Sequence, residues 1–278
     1  MDWSKTKSKL IIILLGLNIL LLFTFFYKNA SETRNTPSEE TLVELEKRLE
    51  NSRINLDADL PKPVNEIRPL IVKYEEEDPE NINQNFFNGE GEIQKRDNIS
   101  QISMEFEEIT ILNNRRFLYE NFEELDSTST NTDISIVNKF LEEKNFDNSD
   151  MILIKAEILD NTVTYEFAKE YNDRILETSY TRITVESGVV ITIDRLWIEV
   201  IEEDSRTISI EPAYKALFTL IGKDDLRGKT INEIELCYYF NPEEQGLLED
   251  NTRAERGRAI PAWRIIFDDG TKLVVDNY

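Results

Sequence analysis

Between Lys9 and Lys28 the chain carries no charge for 18 residues, Leu10 to Tyr27, and no other feature restricts its folding more. In lipid every backbone amide must find its partner within the segment, so such a stretch is a helix, and 18 residues of helix run about 27 Å, enough for a hydrocarbon core. Lys5, Lys7 and Lys9 precede it and the chain after it soon turns acidic. The positive-inside rule therefore places residues 1–9 in the cytoplasm, residues 10–27 in the membrane and the rest outside the cell membrane. Phe23, Phe25, Phe26 and Tyr27 crowd the outer end and Trp3 stands near the inner one, as aromatic belts do. An uncleaved signal anchor is favoured over a removed signal peptide, because cutting after Ala30 would put Lys28 where a small residue is needed.

Within the span, Asn18 shares a helical stripe with Ile11, Leu14, Leu21 and Phe25, while Gly16 faces nearly the opposite way. An amide in lipid is costly without a partner. The stripe is thus a candidate surface for another transmembrane helix, the alternative being that Asn18 bonds to its own backbone.

Charge narrows the partners. The sequence has 32 Lys plus Arg against 55 Asp plus Glu, a net −23; residues 1–9 carry +2, which leaves about −25 for the remainder. Such a surface repels phosphate backbones and anionic headgroups, so nucleic acid is excluded as a partner. There is no histidine, which removes Ser-His-Asp and Cys-His catalysis, His-ligated metals and phosphorelay through this chain. Cys237 is the sole cysteine, so no internal disulfide forms, and its apolar surroundings from Ile234 to Phe240 read as core. A disulfide-free outer region suits a bacterium without an oxidative folding route better than a secreted eukaryotic protein.

The fold class read from the pattern is α+β. After a polar linker at Lys28 to Pro37, Ser38 caps a stalk helix whose Leu42, Leu45 and Leu49 recur at helical spacing, which takes linker and stalk to residue 60. Asp78 to Gly91, with five Asn and Gln and two Gly, reads as a loop. Strands are expected at Ile99–Phe106, Glu108–Leu112 and Arg116–Phe122, followed by a helix capped at Thr132 with Ile134, Val137, Phe140 and Leu141 on one face. An antiparallel meander follows: Met151–Leu159, Thr162–Tyr171, Ile175–Glu186 and Val189–Glu202, joined by Asp160-Asn161, Asn172-Asp173 and Ser187-Gly188. The order then repeats, as in an internal duplication. A helix begins at Glu211-Pro212 and ends at Gly222, and strands follow at Ile231–Phe240, Ala259–Phe267 and Thr271–Asp276. The outer region is expected to be two helix-on-antiparallel-sheet units, residues 61–205 and 206–278.

Carboxylates are too abundant for an acid/base pair to be singled out. Glu75-Glu76-Glu77-Asp78 and Glu202-Glu203-Asp204 lack the alternating ligand spacing and glycine of a calcium loop and read as solvated acidic turns. Arg253, Arg256 and Arg258 form a basic cluster that offsets neighbouring acids or docks an acidic partner. No phosphate-cradling loop or nucleophile elbow is present. Catalytic, metal and cofactor residues are therefore none, and the chain does not read as an enzyme.

The opening Met1-Asp2-Trp3-Ser4-Lys5-Thr6-Lys7, followed by a span containing Leu17-Asn18, resembles the start of the YycI family, membrane-anchored regulators of low-GC Gram-positive bacteria. Ala262-Trp263-Arg264-Ile265 ahead of a final strand resembles that family's C-terminus, and Pro261 to Val275 is also similar to the end of a PepSY-type module. The first resemblance implies a part in the WalK/WalR (YycG/YycF) cell-wall two-component system. It implies a YycH-like regulator and the WalK sensor kinase as partners, met through transmembrane and extracytoplasmic contacts, and it brings no catalytic residues. The competing classes are an extracytoplasmic wall enzyme using acidic residues and a single-span scaffold of the division machinery.

Overall fold

The computed structural model describes residues 13–22, 24, 36–64, 66–125, 132–241 and 256–276. Its first element, α1, is helical over residues 13–22, with its leucines and isoleucines exposed. Among the described residues no helix is long and apolar enough to cross a membrane. The flanks of the 10–27 stretch, including Ile11 and Phe25, lie outside the described residues.

The remainder is α+β, dominated by strands, and divides into two units. The first comprises residues up to Ile67, Ile208–Glu235 and residues from Trp263 onward. Its stalk helix α2 (Glu39–Asn51) forms as the sequence predicts. The Ser38 side chain accepts the Thr41 amide, Glu39 and Glu40 occupy the positive end of the helix dipole, and Leu45 and Leu49 are buried. A two-residue strand β1 (Asn55–Leu56) follows the stalk.

Counted along the chain, the strands after it are β2 (Leu70–Tyr74), β3 (Glu92–Arg96), β4 (Ile99–Met104), β5 (Glu107–Leu112) and β6 (Arg116–Asn121). Next come β7 (Met151–Leu159), β8 (Thr162–Glu170), β9 (Ile175–Glu186), β10 (Val189–Leu196) and β11 (Ile198–Glu203). The last three are β12 (Thr230–Tyr239), β13 (Gly257–Phe267) and β14 (Lys272–Val275). Three more helices intervene: α3 (Pro79–Phe87), α4 (Ile134–Glu143) and α5 (Ala213–Phe218).

In the first unit α2 packs against α5, with the Arg48 guanidinium 6.0 Å from the Phe218 ring centre. β1 runs parallel to Thr230 and Ile231 of β12, and β14 runs antiparallel to Trp263–Ile266 of β13. Trp263 is buried and donates its indole N–H to the Glu211 carbonyl at 2.7 Å. Helix α5 is shorter than its sequence suggests. Pro212 is its extended N-cap rather than its first helical residue, and the helix closes at Phe218, well before Gly222. From Thr219 onward the amides reach back three residues, and the Thr219 hydroxyl donates to the Ala216 carbonyl, so the last turn tightens and stops.

The second unit comprises Arg68–Thr207 and Leu236–Ala262. Its main sheet is antiparallel in the spatial order β3-β4-β5-β6-β10-β9-β8-β7. Ser187 and Gly188 both take positive φ between β9 and β10, as a tight hairpin requires. A smaller antiparallel set places β2 between β11 and residues 257–259 of β13. Helices α3 and α4 cover one sheet face, and Phe86 of α3 contacts Phe87, Phe117, Tyr119, Phe140 and Phe146 at ring-centre distances of 5.3–6.4 Å.

Three further expectations need correcting. Residues 78–91 are largely helix rather than loop: Pro79 sits in the first turn, and Ile82, Phe86 and Phe87 fall on one buried face. The asparagines that suggested a loop serve the helix. Asn88 closes it in the left-handed conformation, and buried Asn83 exchanges two hydrogen bonds, 3.0 and 2.9 Å, with the Gly91 backbone. A Cβ on Gly91 would lie 2.5 Å from the Asn83 side-chain oxygen, so this return needs glycine. Second, Val189–Glu202 is not one strand. It breaks at Trp197, whose carbonyl accepts the Glu75 amide at 2.9 Å, and the chain leaves β9 to pair with β2. Third, Thr132 is not the cap of α4; Asp133 is, accepting the Ser135 amide at 2.8 Å.

The division into units also differs from the sequence-order boundary between 205 and 206. Strands β12 and β13 each begin in one unit and end in the other, and the stalk joins residues 208–235 and 263–278. Replacing Phe86 with alanine should lower unfolding stability by about 3–5 kcal/mol, because the ring leaves a cavity under the sheet. Replacing Phe106, which is 60% exposed, should change stability by no more than about 0.5 kcal/mol in the same urea titration.

Candidate functional site

Of the five residues on the predicted span stripe, Leu14, Asn18 and Leu21 are described, and their four- and three-residue steps put them on one exposed face of α1. The Asn18 side-chain N–H donates to the Leu14 carbonyl at 2.8 Å. One of the two amide N–H groups is thereby bonded within its own helix, which leaves the second N–H and the carbonyl oxygen of Asn18 for another helix. A Cβ on Gly16 would meet nothing within 4 Å.

The second unit holds a constellation that the sequence did not single out. Arg195, on β10, is 2% exposed. Its guanidinium donates to the Glu75 carboxylate at 2.8 and 3.3 Å and to the Thr181 hydroxyl at 3.0 Å. It lies 4.2 Å from the Trp197 ring centre and 4.7 Å from that of Phe146. Beside it, buried Lys169 forms an ion pair with Asp150, 5.5 Å from the same indole. The Trp197 indole N–H reaches Asp150 at 3.5 Å. One signal for this site was present in the sequence: in Ile191-Thr192-Ile193-Asp194-Arg195 the alternation puts Arg195 on the side of Ile193, and both are buried in the structure.

Glu77 belongs to the same neighbourhood. Burial, then repulsion from Glu75, push its carboxyl up to about 7, with Arg195 acting in the opposite sense. Two carboxyl groups side by side resemble an acid/base pair, but the Glu75 carboxylate is committed to Arg195. Its chemistry here is to neutralise a buried cation. Neither acidic run is simply solvated: Glu203 pairs with Arg68 at 3.4 Å, and Asp204 pairs with Arg258 at 2.8 Å. Arg258 is thus engaged within the unit, while Arg253 lies outside the described residues. Cys237 is buried, its thiol 3.4 Å from the Ala262 carbonyl. Among the described residues no group of three His, Cys, Asp or Glu side chains converges to hold a metal ion.

Because Glu77 holds its proton more tightly folded than unfolded, its contribution favours the fold below about pH 4.5 and is lost as pH rises through about 7. Glu77→Gln should therefore stabilise the protein at pH 8 by about 1–3 kcal/mol and leave it nearly unchanged at pH 5. Thermal melts of both proteins across that range measure the difference.

Residues 32–278 match the family model described as YycI protein. No curated protein matches the chain. Among solved structures, YycH from Bacillus subtilis aligns at a TM-score of 0.50 with 13% identity, covering 77% of this chain and 53% of that one. This chain therefore spans about half the length of YycH, and the likeness shows a shared fold. An uncharacterized protein from Eubacterium rectale aligns at 0.49 with 11% identity over 87% of this chain and 95% of that one. The C-terminal domain of YpeB from Bacillus megaterium aligns at 0.39 with 12% identity, covering 70% and 89%. With the family model matched over nearly all of the region beyond the apolar stretch, the chain belongs to the YycI family.

Proposed function

We propose that this chain is a non-enzymatic regulatory subunit that biases the WalK sensor histidine kinase through contacts in the membrane and outside the cell. The family match over residues 32–278 carries the reading, since membership implies regulation of the WalK/WalR system. The fold shared with YycH supports a YycH-like regulator as its companion. The span at residues 10–27 anchors the protein with residues 1–9 in the cytoplasm, and the acidic outer region stays clear of anionic headgroups. Two weak contacts, one in lipid and one outside, reinforce each other because the first raises the effective concentration for the second.

The stripe of Ile11, Leu14, Asn18, Leu21 and Phe25 is the proposed helix-helix surface. An interhelical amide contact in lipid contributes about 0.6–2 kcal/mol, so Asn18→Leu should weaken partner association about threefold to thirtyfold while the span stays inserted. Crosslinking from positions 10–27 in membranes, followed by identification of the captured proteins, reads association. WalR-dependent transcription at equal protein levels reads the consequence. Unchanged crosslinking and transcription in Asn18→Leu would remove Asn18 from the coupling. Full function from a secreted, anchorless outer region would overturn regulation through the span.

A further inference from the structure

The main sheet of the second unit has one face without helices, and at one end of it two aromatic side chains stand in water. Helices α3 and α4 cover the side of Ile102, Ile109, Phe117 and Tyr119, which are buried. Alternation turns Glu108 of β5 and Glu120 of β6 to the other side, where the two lie directly opposite each other. The ladder runs one step past both strands: the Phe122 amide donates to the Phe106 carbonyl at 2.8 Å. Phe106 and Phe122 therefore form the next rung beyond Glu108 and Glu120, and each is 60% exposed.

Both rungs are unfavourable as they stand. Like charges set opposite each other across an antiparallel pair repel, and a phenyl ring left in water forgoes the gain of burial. The sequence makes the combination twice, as Glu105-Phe106-Glu107-Glu108 at the β4–β5 turn and Asn121-Phe122-Glu123-Glu124 after β6. Glu107 is served by Lys144 and by the Tyr119 hydroxyl. Among the described residues Glu105, Glu108, Glu120, Glu123 and Glu124 have no basic partner. Neither residues 97–114 nor residues 117–138 include a lysine or arginine, so the strands around the rings bring none. Local discord of this kind persists where another molecule completes the site.

One occupant relieves both rungs. A lysine or arginine set between Glu108 and Glu120 neutralises the opposed carboxylates, while apolar side chains beside it cover the rings. A lipid surface would meet the rings, but the carboxylates around them repel anionic headgroups. A second copy of this chain would bring the same carboxylates face to face. The complement is a protein segment in which apolar residues stand beside Lys or Arg.

We propose that Phe106 and Phe122, framed by Glu108 and Glu120, dock a basic, apolar segment of a different protein. This rests on the proposed function only in placing that protein outside the cell. The test uses the full-length chain in membranes, with a photoreactive phenylalanine analogue in place of Phe106 or Phe122. Ile99, 43% exposed at the opposite end of β4, takes the analogue as a control. Positions 106 and 122 should capture one and the same protein, through a segment with Lys or Arg beside apolar residues, and position 99 should not. Glu108→Gln combined with Glu120→Gln should cut that yield about threefold to tenfold. The melting temperature of this variant should hold or rise, because a repulsion has been removed. The proposal is overturned if neither position captures a protein above the Ile99 level, or if the product is lipid or a second copy of this chain. It is equally overturned if the captured segment lacks Lys and Arg, or if the yield ignores the two glutamines. Capture of a protein outside the WalK/WalR system, with the same segment chemistry and charge dependence, upholds this surface and removes the outer contact from the regulatory reading.

Discussion

A buried guanidinium sets the terms for the second unit. An unpaired cation taken out of water costs several kcal/mol, so Arg195 obliges the chain around it to supply an anion, a hydroxyl and apolar faces together. They come from separate stretches: Glu75 just beyond β2, Thr181 on β9, Phe146 after α4 and Trp197 at the break in β10. A slip of one residue in β9 or β10 would turn Thr181 or Arg195 to the opposite face of the sheet. These contacts therefore require this register, and removing one partner would leave a buried charge uncompensated.

The same economy of cations runs through the protein. With 55 acidic residues and 32 basic ones, most carboxylates face water, and the partly buried ones receive the available partners. Asp194 takes both Nε and Nη2 of Arg116 at 2.9 Å, and Glu107 accepts the Tyr119 hydroxyl at 2.5 Å with Lys144 3.6 Å away. The Arg116 guanidinium is held above its usual range, first through its hydrogen bond with Asp194. Hydrogen-bonded pairs away from bulk water resist screening, whereas the exposed surplus responds to salt.

Legibility in the sequence followed the reach of each signal. Short-range signals held: Ser38 with its leucine spacing gave the stalk, and turn residues such as Ser187-Gly188 marked the hairpins. Composition misleads at α3, where asparagines, common in loops, close and brace a helix. The break at Trp197 was invisible because the alternating pattern reports which face is buried and not which strand pairs beside it. Similarly, periodicity found β12 and β13 but could not tell that each passes between units. For the candidate sites, helical geometry put Leu14, Asn18 and Leu21 on one face from spacing alone. Arg195 went unread because its partners are far away in sequence, although its core-facing position on β10 was visible.

The passage of β12 and β13 between units has a genetic consequence. The chain changes unit four times, after Ile67, Thr207, Glu235 and Ala262. A reading frame that ends early, anywhere between residues 208 and 256, takes β13 and β14 with it and so leaves both units short of a strand or part of one. Neither unit can be inherited, lost or exchanged by recombination as one contiguous exon-like block. A nonsense allele late in the gene should therefore behave as a complete loss rather than as a partially active fragment.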